Sequence, residues 1–427
     1  MRQDRNDGSV LRIAIIGMGG FAGEHHRAVQ LLQREGECRL LATCDPLPER
    51  FAEQQQRWQF EERSVTVHRD YREMLETWAG QVDVVTVAAP IPWHAPMHRA
   101  CVLAGVACYL EKPPTLDPDE LESMIDLDAQ APGKTQVGFN FVGEPRRVAL
   151  LRRIRSGEFG AVRRVTFRGL WPRSQGYFRR AGWVGRLYGE DGRLILDSCP
   201  GNAMAHHVQN CLLWAGGDAP DTLTDPHFAG EPDAELYRAN SIETFDTAFL
   251  RTVTRNGVEL RLAVTHAAAP PSENIETVHC DRADIEIATD TTIRITGERG
   301  LEIVPATDRD HLTENLRRYF RYVRGIEDRP VTRPEDCRAF VRLHHSAYFR
   351  SGGGIDVDPA WLEMSGPHEE DDTVRRITGI RPAFDRFLAA DDPPPRPDAP
   401  RAVPEKPATP QDTAARRAGK YRQVPQN

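Results

Sequence analysis

Short apolar runs alternate with amphipathic stretches along the N-terminal third of the chain. Val10–Ile16 (VLRIAII) is β-branched, apolar and stopped by Gly17, the pattern of a strand buried on both faces. A helical stretch from Glu24 to Arg34 follows, then apolar Arg39–Cys44. The same rhythm predicts strands at Ser64–Arg69, Val82–Ala89, Val106–Leu110 and Gln136–Phe141, with helices at Tyr71–Trp78 and Ala95–Ala104. A further helix starts at Asp117-Pro118-Asp119-Glu120, where an Asp cap precedes a proline at the first helical position. Strand–helix alternation of this kind predicts a Rossmann-type, doubly wound parallel α/β sheet over residues 10–142.

The pattern then changes. Pro145–Ser156 reads as an Arg-rich amphipathic helix and Val162–Trp171 as an alternating strand. After a loop-like region, Ser241–Arg255 and Val258–Ala267 are strands joined by Asn256-Gly257, a strong hairpin signal. Shorter strands are expected at Ile275–Cys280, Ala283–Thr289, Thr292–Ile295 and Leu301–Val304, and helices at Asp310–Gly325 and Pro334–Ser351. Residues 143–388 therefore read as an α+β unit with an antiparallel sheet. Residues 1–9 are polar, and nine prolines with few large apolar side chains fall between Asp391 and Asn427. Residues 1–9 are expected to be disordered, and residues 389–427 to form a Pro-rich tail that is disordered or surface-draped.

Among 427 residues there are 55 Lys+Arg and 63 Asp+Glu, a net charge of −8. That balance argues against a nucleic-acid partner. No apolar run approaches the ~18 residues of a spanning helix. The N-terminus shows no secretory pattern, and the eight cysteines form no Cys-x-x-Cys pair, so a reducing cytoplasm is expected. The His-His pairs diverge around a helix and lack an acidic cluster, so no metal site is expected. Only four basic residues are lysines: Lys112, Lys134, Lys406 and Lys420. Arg cannot release its proton in a protein, whereas a desolvated Lys can. A lysine in an apolar context is thus a candidate for proton chemistry.

The first strand leads into Gly17-Met18-Gly19-Gly20-Phe21-Ala22-Gly23 and then a helix. Glycines there let backbone N–H groups approach a pyrophosphate at a helix N-terminus. Asp45 ends the second strand, ~20 residues on, where an acid accepts ribose hydroxyls and repels a 2′-phosphate. This favours NAD over NADP, with Arg50 one turn on able to soften the preference. Ligands of such sheets sit at the strands' carboxyl ends. Those ends hold Ala89-Pro90, Glu111-Lys112 and Asn140, with His94 just beyond the Pro90 turn.

In the second unit, Asp197-Ser198-Cys199-Pro200-Gly201-Asn202-Ala203-Met204-Ala205-His206-His207 follows an apolar strand (Leu194–Leu196) and runs into a helix at Ala203–Trp214. Asn202 and His206 share one helix face, while His206 and His207 lie ~100° apart. Gln209, Asn210 and Leu213 are expected to continue the His206 side. Upstream, Trp171-Pro172-Arg173, Tyr177, Arg179-Arg180 and Trp183 interleave rings with guanidinium groups. Arg173, Tyr177 and Trp183 suit a sugar pocket, where rings cover C–H faces and guanidinium forks bind hydroxyls or carboxylates.

These residues resemble the Gfo/Idh/MocA oxidoreductase family over span 10–350. Gly17-Met18-Gly19-Gly20-Phe21 is similar to its cofactor loop, and Glu111-Lys112-Pro113 to its Glu-Lys-Pro signature. Asp197-Ser198 through His206 resembles a branch reading Asp-Ser-Pro-x-Asn-Asn-Ala-x-Ala-His, with Cys199 and Gly201 replacing a Pro and an Asn. In the commoner pattern an Asp and a His stand four apart. Here the acid aligns with Asp197 from one side and Asn202 from the other. The resemblance implies a dinucleotide domain, a C-terminal open-faced, mostly antiparallel sheet, and homodimers or homotetramers formed through it. It also implies NAD(P)-dependent hydride transfer on a sugar, inositol or related polyol, with Lys112 and His206 sharing the proton and Asp197 or Asn202 orienting them. Two alternatives on the same fold are an NAD-dependent glycoside hydrolase and a non-catalytic dinucleotide or sugar sensor.

Overall fold

The computed structural model describes residues 10–131, 133–216, 228–308, 310–365 and 370–389. The expectations for residues 1–9 and for the Pro-rich tail fall outside these, apart from Ala389. The first six strands are β1 (Leu11–Ile16), β2 (Cys38–Cys44), β3 (Thr66–His68), β4 (Val84–Val87), β5 (Ala107–Leu110) and β6 (Gln136–Val137). They form one parallel sheet in the order β3-β2-β1-β4-β5-β6. Between them run α1 (Ala22–Arg34), α2 (Ala52–Arg57), α3 (Tyr71–Thr77), α4 (His94–Leu103) and α5 (Pro118–Ala129). The Asp117 side chain caps α5 by accepting from Asp119 N and Glu120 N. The order reverses between β1 and β4, so a crevice opens at their carboxyl ends.

A helix, α6 (Pro145–Arg155), leads to β7 (Val162–Leu170). The short α7 (Gln175–Arg179) and then α8 (Ala205–Ala215) follow. The remaining strands are β8 (Asp233–Arg238), β9 (Thr247–Val253), β10 (Glu259–Thr265), β11 (Glu273–Cys280), β12 (Ala283–Ile287), β13 (Ile293–Gly297), β14 (Gly300–Val304) and β15 (Ile355–Asp356). With β7 they build a nine-stranded sheet in the order β14-β13-β12-β11-β7-β10-β9-β8-β15. It is mostly antiparallel; β7–β10 and β8–β15 are its parallel pairs. The expected hairpin is present, with Val253 opposite Glu259.

Three late helices decide how the layers pack. These are α9 (His311–Val323), α10 (Arg338–Ser351) and α11 (Ile380–Ala389). α9 returns to the first sheet, where Leu312, Leu316, Tyr319 and Phe320 join the core of β1, β2 and β5. α10 and α8 cover the inner face of the second sheet. α11 covers part of its outer face: Ile380, Phe384 and Phe387 pack on Leu170, Phe249 and Ala263. Each such fully buried side chain contributes about 1.5–3 kcal/mol.

Several expectations are corrected. Leu194–Leu196 is not a strand. Leu194 makes one bridge to Tyr188, and Leu196 sits at φ 48°, which bends the chain out of extension. The strand expected at Gln136–Phe141 stops at Val137. The strand expected from Ser241 starts at Thr247, because the buried Asp246 carboxylate accepts the Ala239 and Asn240 N–H groups and curls the preceding loop. β8 and α11 arise in stretches where no element was expected.

A single buried carboxylate ties α6, α8 and the second sheet together. Glu276 of β11 accepts from Arg147 Nη1 (2.7 Å), Asn210 Nδ2 (3.1 Å) and Trp214 Nε1 (2.8 Å), and bonds His207 Nδ1 (2.8 Å). Burial pushes its pKa up, but Arg147 and His207 outweigh burial and hold it at about 2, against an ordinary 4.5. The resulting stabilisation is present above pH 4.5 and is lost as pH falls through the folded value, about 3 kcal/mol in all. Glu276→Gln leaves Arg147 buried without its carboxylate. It is expected to cost roughly 3–5 kcal/mol in urea unfolding, and Arg147→Met on top of it should recover part of that loss.

Candidate active site

The glycine turn is shaped by close packing on one side and openness on the other. Gly17 donates to Cys44 O (2.7 Å) and has φ 110°; a Cβ there would meet Ala88 O at 2.4 Å. A Cβ on Gly19 would meet the Phe51 ring at 2.9 Å. Gly20 has φ 57° and open space beside it. The N–H groups of Gly19, Gly20 and Phe21 have no protein acceptor among the described residues, and they lie at the entry to α1. Met18 N donates instead to Asp45 Oδ2 (3.2 Å), which holds that carboxylate at the mouth of the turn. Free donors, an open glycine and an adjacent acid fit the pyrophosphate and ribose of a dinucleotide. Arg50 is exposed nearby.

Other expected cofactor contacts have internal partners. Glu111 Oε1 bonds His25 Nε2 (2.8 Å), and Glu111 Oε2 accepts from Lys112 N. His94 lies between Ala89 O (2.8 Å) and Pro113 O (2.6 Å), which pins the turn on either side of the crevice. In its neutral form the ring donates to one of these carbonyls. Asn140 Oδ1 accepts from Tyr109 Oη (2.6 Å) and Asn315 Nδ2 (2.9 Å), and the residue lines a cavity of about 30 Å³ beneath α9. Pro90 is exposed at the end of β4. These residues shape the crevice through their internal bonds, a role that spacing along the chain did not reveal.

The two units meet at Lys112. Its Nζ donates to Asn202 O (2.9 Å) and Asn202 Oδ1 (3.3 Å). Asn202 Nδ2 in turn donates to Asp197 Oδ1 (2.8 Å), whose Oδ2 accepts from Gly185 N (2.7 Å). The run from Cys199 to Ala203 is a π-helical turn, and α8 begins only at Ala205. This wide turn is where the expected helix at Ala203–Trp214 differs from the observed one. It leaves the Asn202 carbonyl open to the lysine as well as to the Met204 N–H.

His206 stacks on Phe141 at 4.8 Å, and its Nδ1 has no hydrogen-bond partner. His207 points the other way, onto Phe167 and Glu276. Asn210 joins His207 at Glu276, a correction to its expected place on the His206 side. Gln209 donates to Asp336 O.

Burial dominates the titration of all three polar groups. It pushes the Lys112 ammonium below its ordinary 10.5; Glu111 and Asp197 oppose this, while Arg173 and Arg180 add to it. It pushes His206 well below 6.5, with Lys112 adding to the effect. It raises Asp197, against the Gly185 N–H and the Asn202 amide. A neutral imidazole and an amine of lowered pKa, within electrostatic reach of each other, can exchange a proton with a substrate hydroxyl.

The substrate candidates stack in one row. The Arg173 guanidinium lies 4.4 Å from the rings of both Trp171 and Tyr177. Arg180 lies 3.6 Å over Tyr177 and 5.5 Å from Trp183. Sequence reasoning did not single out Arg180 within this row; the alternation of rings and arginines was the available signal. No group of three or more His, Cys, Asp or Glu able to hold a metal occurs among the described residues. No helix among them is long and apolar enough to cross a membrane.

Comparison with known proteins agrees with this geometry. Residues 11–139 match the family model GFO_IDH_MocA, described as an oxidoreductase family with an NAD-binding Rossmann fold. The chain is 26% identical over 178 residues to inositol 2-dehydrogenase of Rhizobium meliloti, covering 41% of this chain and 51% of that protein. It is 30% identical over 157 residues to D-apiose dehydrogenase of Paraburkholderia graminis, covering 36% and 40%. The chain thus spans about half the length, or less, of the curated relatives it matches. Among solved structures, an oxidoreductase from Agrobacterium radiobacter in complex with NAD+, L-tartaric acid and magnesium superposes with TM-score 0.63 at 18% identity, over 80% of this chain and 96% of that one. The WlbA dehydrogenase from Bordetella pertussis, in complex with NADH and UDP-GlcNAcA, gives 0.64 at 20%, over 82% and 100%. At such identities the likeness carries the fold. Over residues 11–139 the chain is thus similar to the Gfo/Idh/MocA oxidoreductases, in the span that corresponds to their NAD-binding Rossmann fold.

Proposed function

We propose that this protein is an NAD-dependent oxidoreductase acting at a hydroxyl-bearing carbon of a sugar, inositol or related polyol, with NADP the weaker cofactor. The observation that carries this reading is the lysine at the end of β5 reaching across the crevice to the Asn202 turn. A nicotinamide dinucleotide held by the Gly17–Phe21 turn supplies the two-electron acceptor. The protein's own task is the proton. Burial keeps a larger share of Lys112 neutral than an exposed lysine would have, so its amine can take the proton of the substrate hydroxyl. His206, neutral and with Nδ1 unengaged, is placed to share that proton. Asp197 acts through Asn202 to orient the ammonium. Arg173, Tyr177 and Trp183 present rings and a guanidinium to the substrate.

The same reading includes a homodimer or homotetramer formed through the second sheet. α11 covers the outer face over β7, β9 and β10, so β11–β14 are the strands left for a second copy. A reducing cytoplasm suits eight cysteines that are all free thiols.

Lys112→Met is expected to lower kcat by roughly 10²–10⁴ while NAD binding, followed by fluorescence titration, is retained. Near-normal turnover would remove Lys112 from the mechanism. In the unaltered enzyme, kcat/KM for alcohol oxidation should rise with pH along a limb set below the ordinary lysine value of 10.5, because the deprotonated amine is the active form and its pKa is depressed. Asp45→Ser removes the charge beside the ribose site. It should narrow the ratio of NAD to NADP dissociation constants by roughly tenfold, a change of about 1.4 kcal/mol.

A further inference from the structure

Arg173 is held in an unusual way. Trp171 and Tyr177 each lie 4.4 Å from its guanidinium carbon, and Arg180 lies 3.6 Å over Tyr177. Stacking engages the flat faces of a guanidinium and leaves its N–H edge in the plane of the fork. The Arg173 side chain makes no hydrogen bond or ion pair among the described residues, and its Nε is buried without a partner. Asp197, the carboxylate that interacts electrostatically with Arg180, is already engaged: its Oδ1 accepts from Asn202 and its Oδ2 from Gly185. Arg180 has no carboxylate partner among the described residues either; its Nη1 donates to Tyr177 O (2.8 Å).

Several other arginines are closely matched. Arg147, Arg153, Arg168, Arg317 and Arg338 each bond a carboxylate within 3 Å. An unmatched, ring-clamped fork beside the candidate proton-transfer group is therefore a specific feature. Both Arg173 and Arg180 lower the Lys112 pKa by charge repulsion, so they lie within electrostatic reach of the reacting end of the site.

Resting on the oxidoreductase reading above, we propose that the substrate is an anionic sugar or polyol, whose carboxylate is gripped edge-on by Arg173 with Arg180 as the second cation. A carboxylate matches the planar fork by two parallel N–H···O bonds. It also neutralises charge that a neutral sugar would leave uncompensated. Two rings, each 4.4 Å from the guanidinium carbon, restrict the fork before binding, so less side-chain entropy is lost on docking. A sugar phosphate offers similar oxygens without the planar match, so the uronate is the preferred form.

The test compares D-glucuronate, D-glucose, myo-inositol and D-glucose 6-phosphate as hydride donors with NAD, and as ligands in thermal-shift titrations. The acid is expected to have a KM lower than D-glucose by roughly 10- to 100-fold, the size of a charge-assisted hydrogen-bonded contact. Arg173→Gln should abolish that preference, raising KM for the acid by much more than it raises KM for D-glucose. Arg173→Lys should restore only part of it, because an ammonium keeps the charge but loses the fork. An unchanged melting temperature and NAD affinity in both variants separates this from misfolding. A preference for D-glucose 6-phosphate that Arg173→Gln abolishes would support the anion and replace the carboxylate by a phosphate. Equal use of D-glucose and D-glucuronate, or a preference untouched by Arg173→Gln, would overturn the proposal while leaving the oxidoreductase reading intact. Arg173-dependent binding of the acid without NADH formation from any donor would do the reverse.

Discussion

The Glu276 carboxylate is the constraint on which the site depends. Two adjacent histidines on a helix cannot face one cleft, and the choice between them sets which residue meets the substrate. Glu276 makes that choice by bonding His207, together with Asn210 and Trp214 one and two turns further along α8. With His207 fixed to the sheet, His206 lies stacked on Phe141, within electrostatic reach of Lys112. The buried Arg147 compensates the carboxylate, so the clamp carries no uncompensated charge. A polar cluster in the core of one unit thus fixes which of the two imidazoles faces Phe141.

Within the crevice one physical cause acts on three groups with opposite chemical results. Removal from water disfavours charge, so it lowers the lysine and histidine pKa values and raises that of Asp197. The basic groups move toward their proton-accepting forms, and the acid toward a form that holds its proton. Asn202 mediates between them, accepting from Lys112 at both its carbonyls and donating to Asp197. Its backbone carbonyl meets the lysine in the π-turn, so local backbone geometry and electrostatics are linked there.

Much of the fold was legible in the chain. The β-branched runs ended by glycine marked the parallel strands, and Asn256-Gly257 marked the hairpin, because turn chemistry and burial act locally. The strand at Leu194–Leu196 was misread since an apolar run does not reveal that Leu196 adopts a positive φ. β8 pairs with the neighbouring β9, but its polar Asp233, Glu235 and Arg238 conceal the strand pattern, whereas the burial partners of α11 lie far away in sequence. α11 reads as amphipathic only once the outer face of β9 and β10 is there to receive Phe384 and Phe387.

The sequence by itself determined the chemistry that could exist here: a glycine turn before a helix, an acid at the end of β2, a rare lysine at the end of β5, and rings alternating with arginines. Residue type and local spacing suffice for these, because they depend on neighbours a few positions away. Only the tertiary structure decided their assignments. It gave Glu111 to His25, Asn140 to Tyr109 and Asn315, Lys112 to Asn202, and left the Arg173 fork without a carboxylate among the described residues. Those pairings join residues tens to hundreds of positions apart, and which polar atom finds a partner depends on how the two sheets and α9 pack.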